Sequence, residues 1–239
     1  MNPSAHVIPL GNLALAFAPV AVMLAVMFAW SLQAGRALYG VARMLVQLLL
    51  IGYILTFIFE SNRLSVVLGV LGIMVVASSW IALSNTTSRK GALFWSVMGA
   101  IAIAGGGTLA VTIASVLQPE PWYSPRFVIP LAGMVFANAM NTISVTAERL
   151  GSELRSGASW LEARNTALHA GLIPVVNSLF AVGLVSLPGM MTGQILSGIS
   201  PLIAVRYQIM VMCMIFGGGG LAAALFLVLS RRVYERGDD

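Results

Sequence analysis

Residues 184–198, LVSLPGMMTGQILSG, lie in otherwise apolar sequence, yet they hold a Pro-Gly pair followed by two methionines, a threonine and a glutamine. Pro188 removes one helical hydrogen bond and Gly189 loosens the backbone beside it, which frees a carbonyl, that of Leu184. Met190 and Met191 then offer thioethers, and Thr192 and Gln194 offer oxygens. A broken helix with exposed acceptors is how transporters commonly make a midplane binding site; the competing explanation is a packing kink filled by methionines. Thioethers suit soft ions such as Cu(I) better than Fe(II).

A second polar group is FANAMNT, residues 136–142. Asn138 and Asn141 are three apart, a spacing that puts both on one helix face, with Met134 one turn before Asn138. Uncharged polar groups in hydrocarbon must pair or line a wet cavity. This face is therefore expected either to bond between helices or to line a path for a cation or a polar solute. Gln47, Ser144, Asn177 and Ser178 raise the same two alternatives, and Arg43, one turn before Gln47, fits a side chain that snorkels to the interface.

Catalysis finds little to work with. The two histidines, His6 and His169, fall in an outer tail and an inner loop, and no aspartate precedes Asp238. An intramembrane protease or a His-rich metal enzyme would need such groups at membrane depth. Cys213 is the single cysteine, which rules out an intramolecular disulfide or a thiolate zinc cluster. The glycine clusters 105–107 and 217–220 lie inside apolar runs, where small residues let helix backbones approach. A phosphate loop needs GxxxxGK[ST], and the only lysine, Lys90, is not set in one. The chain is expected to be no enzyme and to bind no cofactor of its own.

These residues are carried by a chain of 239 residues that is 59% hydrophobic and 9% charged, against about 25% charged in globular proteins. Such a composition predicts an all-α polytopic membrane bundle forming one domain over residues 1–239. About 20 apolar residues cross a bilayer core, and seven stretches approach that length: 13–32, 38–59, 64–83, 93–117, 127–147, 174–198 and 205–229. The start, MNPSAHVIPLGN, lacks a basic region, so the first run is expected to stay as a span.

The net charge is +5, but its 13 basic residues are scattered among the spans, without the dense patch that nucleic acid requires. Placing the N-terminus outside puts Arg36, Arg43, Arg89, Lys90, Arg149, Arg155, Arg164, Arg231, Arg232 and Arg236 inside. Arg63, Arg126 and Arg206 then lie outside. That bias predicts an outer N-terminus and a cytoplasmic C-terminus. Glu60 falls at the outer end of the second span and reads as interfacial. The outer loop 118–126, QPEPWYSPR, suits a short rigid turn.

The inner segment 148–174 alternates acidic and basic residues and ends at Pro174. It is expected to form a short amphipathic helix, at about 150–163, lying along the membrane. The stretch GASWLEA, 157–163, preceded by Glu148 and Glu153, resembles the cytoplasmic EAA-type loop of ABC-transporter permeases, whose coupling helix docks on the ATPase subunit. More widely, RMLVQLLLIGYIL in the second span, IPLAGMVFANAMNTISV in the fifth, and residues 183–212, GLVSLPGMMTGQILSGISPLIAVRYQIMVM, resemble the UPF0014 membrane family. Its bacterial members include iron-export permeases of the FetB type, and its plant relatives are linked to aluminium tolerance.

The resemblance implies a permease in the bacterial inner membrane, paired with a separate ATPase that binds ATP and Mg, and assembled as two permeases with two ATPases. Glu148, Glu153, Gly157 and Trp160 become the residues expected to couple to that partner. The implied cargo is iron, with another metal or a nucleotide sugar as alternatives. An ATPase-independent secondary transporter is a further alternative, though it would usually need a buried carboxylate or basic relay.

Overall fold

The computed structural model describes residues 8–61, 63–84 and 90–235. His6, Arg89, Arg236 and Asp238, used above, lie outside them. Packing divides the chain into two compact units, Met1–Ser61 and Asn62–Asp239.

The first unit holds α1 (Leu10–Leu15), α2 (Ala18–Ala29) and α3 (Ala34–Ser61). Pro19 sits in the first turn of α2, where its missing N–H costs no helical bond. Between α2 and α3 the chain turns through Ser31, whose φ of 55° is left-handed. Of the two longer helices α2 is apolar on every side, and Phe28 of α2 and Leu48, Leu49, Tyr53 and Phe57 of α3 are exposed. A helix apolar all round belongs in hydrocarbon.

The second unit holds α4 (Leu64–Ala82), then α5 (Lys90–Ala100) and α6 (Gly106–Val111), interleaved with π-helical segments at Ile101–Gly105 and Thr112–Leu117. There follow α7 (Pro125–Arg155), α8 (Trp160–Ala181), α9 (Gly189–Leu196) and α10 (Pro201–Glu235). The long α7 is central and packs against α4, α8 and α10. Its fully buried Val135, Ala139, Ile143, Ala147 and Leu150 recur at three- and four-residue spacing, the period of one helix face. Ala222, Ala223 and Phe226 of α10 complete the same core.

Among the described residues there is no strand, and six helices are long and apolar enough to cross a membrane: Leu10–Ala29, Ala34–Glu60, Leu64–Ala82, Gly91–Leu117, Pro125–Arg155 and Pro201–Tyr234. The all-α polytopic bundle expected from composition is the fold observed. The sixth of the seven expected spans, 174–198, is not one helix. It comprises the end of α8, a link at 182–188 and the short α9. Gly183 has a φ of +85°, a left-handed conformation that a continuing right-handed helix cannot contain. Pro174, expected at the start of that span, lies inside α8.

The inner segment also differs from expectation. No separate helix occupies 150–163; α7 continues to Arg155 and α8 starts at Trp160, leaving a four-residue corner. Two local devices make it. Gly157, at φ +85°, ends α7 in the left-handed conformation glycine adopts without strain. Ser159 then starts α8 with a capping box.

Candidate functional site

Along α7, Asn138, Thr142 and Thr146 bond to their own helix. The Asn138 Nδ2 donates to the Met134 carbonyl at 3.0 Å, Thr142 Oγ1 to the Asn138 carbonyl at 2.9 Å, and Thr146 Oγ1 to the Thr142 carbonyl at 2.7 Å. Four-residue spacing makes this a single stripe. With its hydroxyls turned back on the helix, the stripe is smooth enough for glycines to close on it. A Cβ on Gly171 of α8 would collide with Thr146 Oγ1 and lie 3.0 Å from the Thr142 carbonyl oxygen. A Cβ on Gly218 of α10 would collide with Val135, and one on Gly219 would lie 3.2 Å from Thr142 Oγ1. The three helices thus meet at near backbone-to-backbone distance, the use expected of small residues in membrane bundles.

Asn138 is half-buried on this seam, whereas Asn141 is exposed. Their three-residue spacing does not bring both into the bundle, because the seam follows the four-residue rows through 134, 138, 142 and 146.

The expected coupling residues gather around the corner. Glu148 is exposed, and Glu153 pairs with Arg149 across one helical turn. Gly157 forms the turn itself. Trp160, the first residue of α8, packs on the core and meets the ring of Tyr234, near the end of α10, at 6.1 Å between centroids. The Ser159 hydroxyl donates to Glu162 Oε2 at 2.7 Å and the Ser159 N–H donates to the same oxygen at 3.2 Å. Those two bonds, the hydroxyl first, hold the Glu162 carboxyl below its usual pKa. Leu161 projects from the corner and is 56% exposed.

At the break, Pro188 is the residue before α9 and Gly189 its first residue. Proline and glycine therefore begin a helix here rather than interrupt one; the interruption is the 182–188 link. Met190, Met191 and Gln194 are each half-buried, Met190 packs on the core, and Thr192 donates to the Pro188 carbonyl at 3.2 Å. Gln194 Oε1 is buried without a hydrogen-bond partner.

One residue was missed. Gln208 of α10 is 6% exposed, and its Oε1 is also buried without a partner. The sequence signal for it was present: Ala204, Gln208, Val211, Gly218 and Ala222 fall on one buried row of α10. Hydropathy alone concealed a glutamine set in that row.

The chain matches the family described as "Uncharacterised protein family (UPF0014)" over residues 10–234. A UPF0014 membrane protein of Synechocystis sp. is 38% identical over 200 residues, covering 76% of each chain. The "Probable iron export permease protein FetB" of Escherichia coli (strain K12) is 32% identical over 212 residues, 82% of this chain and 80% of that one. Protein ALUMINUM SENSITIVE 3 of Arabidopsis thaliana is 32% identical over 227 residues, 87% of this chain and 81% of the plant protein. No solved structure matches the chain. With its apolar helices and these likenesses, the chain is a multi-pass membrane protein and belongs to the UPF0014 family.

Proposed function

We propose that this chain is the permease subunit of an ATP-driven exporter whose ATPase is a separate polypeptide, and that its cargo is iron. The observation that carries the proposal is the α7–α8 corner. It is a short, capped turn with an exposed leucine and a surrounding set of charges, fastened through Trp160 to the end of α10. A partner that binds this corner moves three packed helices at once. The likeness to a relative named as a probable iron export permease supports both the transport class and the cargo.

In this scheme the corner faces the cytoplasm, the N-terminus lies outside, and two permeases in the bacterial inner membrane sit on two ATPases. The ATPases bind ATP and Mg and close as a pair; the corner passes that movement to α7 and α8, and the bundle alternates its access. Glu153 and Gly157 are the residues whose substitution should weaken assembly with the ATPase.

The test is ATP-dependent uptake of iron into inverted vesicles that hold this chain and its cognate ATPase, beside vesicles with an ATPase-dead partner. Uptake that requires the live ATPase supports the proposal. Stimulated ATPase activity without iron uptake would replace iron by another metal or a nucleotide sugar. Iron transport by the chain alone would put a secondary transporter in place of the ABC permease.

A further inference from the structure

Among the described residues, the second unit holds two glutamine amide oxygens that are buried without a hydrogen-bond partner, as is Ser230 Oγ. The threonines of α7 satisfy themselves on their own helix, but Gln208 Oε1 on α10 and Gln194 Oε1 on α9 do not, and these two helices pack together. A buried amide oxygen without a donor is costly and rare. Leucine would fill either position without that penalty. Two such oxygens on adjoining helices are explained by a group that arrives and leaves.

Position and chemistry narrow what that group is. Gln208 precedes Tyr234 on α10 by roughly 39 Å of helix at 1.5 Å per residue, so it lies at the end of α10 opposite the corner. Met190, one turn before Gln194, packs on the core. Among the described residues no group of three or more His, Cys, Asp or Glu could hold a metal tightly. Hard divalent cations accept amide carbonyl oxygens and retain part of their water shell. A neutral oxygen pair binds such an ion weakly, which suits release.

We propose that Gln194 and Gln208 form a low-affinity site for a partly hydrated divalent cation at this end of α10. The role of that ion as cargo rests on the transport function proposed above; its binding does not.

The test is a titration of the full chain, in nanodiscs of phosphatidylcholine only, with Mn(II), reading the free ion by electron paramagnetic resonance. Wild type should hold Mn(II) weakly, with Fe(II) competing. Gln208→Glu should bind about tenfold more tightly because a carboxylate replaces the amide. Gln208→Leu and Gln194→Leu should bind at least tenfold more weakly, with a thermal midpoint no lower than wild type for Gln208→Leu. Should Gln208→Leu fail to fold, Gln208→Glu and Gln194→Leu decide the matter. Equal binding by wild type and the leucine variants, or none by wild type and Gln208→Glu, would overturn the site. ATPase stimulation by the chain, measured without added transition metal, tests the permease assignment separately, so either proposal can fail alone.

Discussion

The ring of Trp160 lies 6.1 Å from that of Tyr234, at an angle of 43°, and so ties the first residue of α8 to the last turn of α10. Aromatic pairs of this kind contribute about 1 kcal/mol beyond the area they bury. A double-mutant cycle of Trp160→Ala and Tyr234→Ala, read by unfolding in mixed micelles, should give a coupling of about that size. Additive losses would mean that the rings pack independently. If the chain is the permease proposed above, Trp160→Ala should also reduce stimulation of its partner ATPase while leaving the chain in the membrane.

Gly171 and Gly217 should respond in opposite ways to the same change. At Gly171 a new Cβ meets Thr146 Oγ1 and a backbone carbonyl, whereas at Gly217 nothing lies within 4 Å. Gly171→Ala should cost about 1–3 kcal/mol, the usual penalty of overpacking, and Thr146→Ala should restore part of it. Gly217→Ala should be neutral or stabilising by up to about 1 kcal/mol, from helix propensity alone. Thermal unfolding of the three variants checks the seam.

Gly157→Ala should loosen the corner by about 1–2 kcal/mol, since its φ of +85° is strained for a residue with a Cβ. Gly157→Asn should lose less, because asparagine also serves at this helix-ending position. Amide exchange across 156–160 provides the measurement, and equal protection in both variants would show that the left-handed turn is dispensable.

Acid should release the start of α8. Glu162 has a lowered pKa in the folded chain, so its contribution is complete above the unfolded carboxylate value and is lost as pH falls through the lowered one. Protection at 160–164, taken relative to the intrinsic exchange rate at each pH, should therefore fall on acidification below about pH 4.3. Ser159→Ala should show faster exchange at neutral pH, from loss of a cap that contributes about 1 kcal/mol, and a much smaller acid response. An unchanged acid response in that variant would sever the capping box from the titration.

Much of the bundle was legible because apolar length is a strong signal. The expected spans at 64–83, 93–117 and 205–229 fall within or nearly coincide with observed helical segments. Hydropathy reports which residues accept hydrocarbon, not whether a helix is continuous. It therefore joined α8 to α9 across the left-handed Gly183, and set the charged end of α7 and start of α8 apart as a separate short helix. The same blindness touched the polar residues. The spacing of Asn138 and Asn141 suggested a shared face, but contact between helices selects the four-residue row ending at Thr146. Gln208 was overlooked because it falls inside the apolar run 205–229, although its place on the row with Ala204 and Val211 marks it as inward.

The corner between Arg155 and Trp160 also has a mechanical meaning. It joins helices of 31 and 22 residues, rods of roughly 46 and 33 Å, through a bend with a capped helix start and almost no free chain. Slack at such a joint would dissipate displacement as local rearrangement. A stiff joint instead turns a small push into rotation of both rods about their glycine contacts, with the far ends travelling furthest.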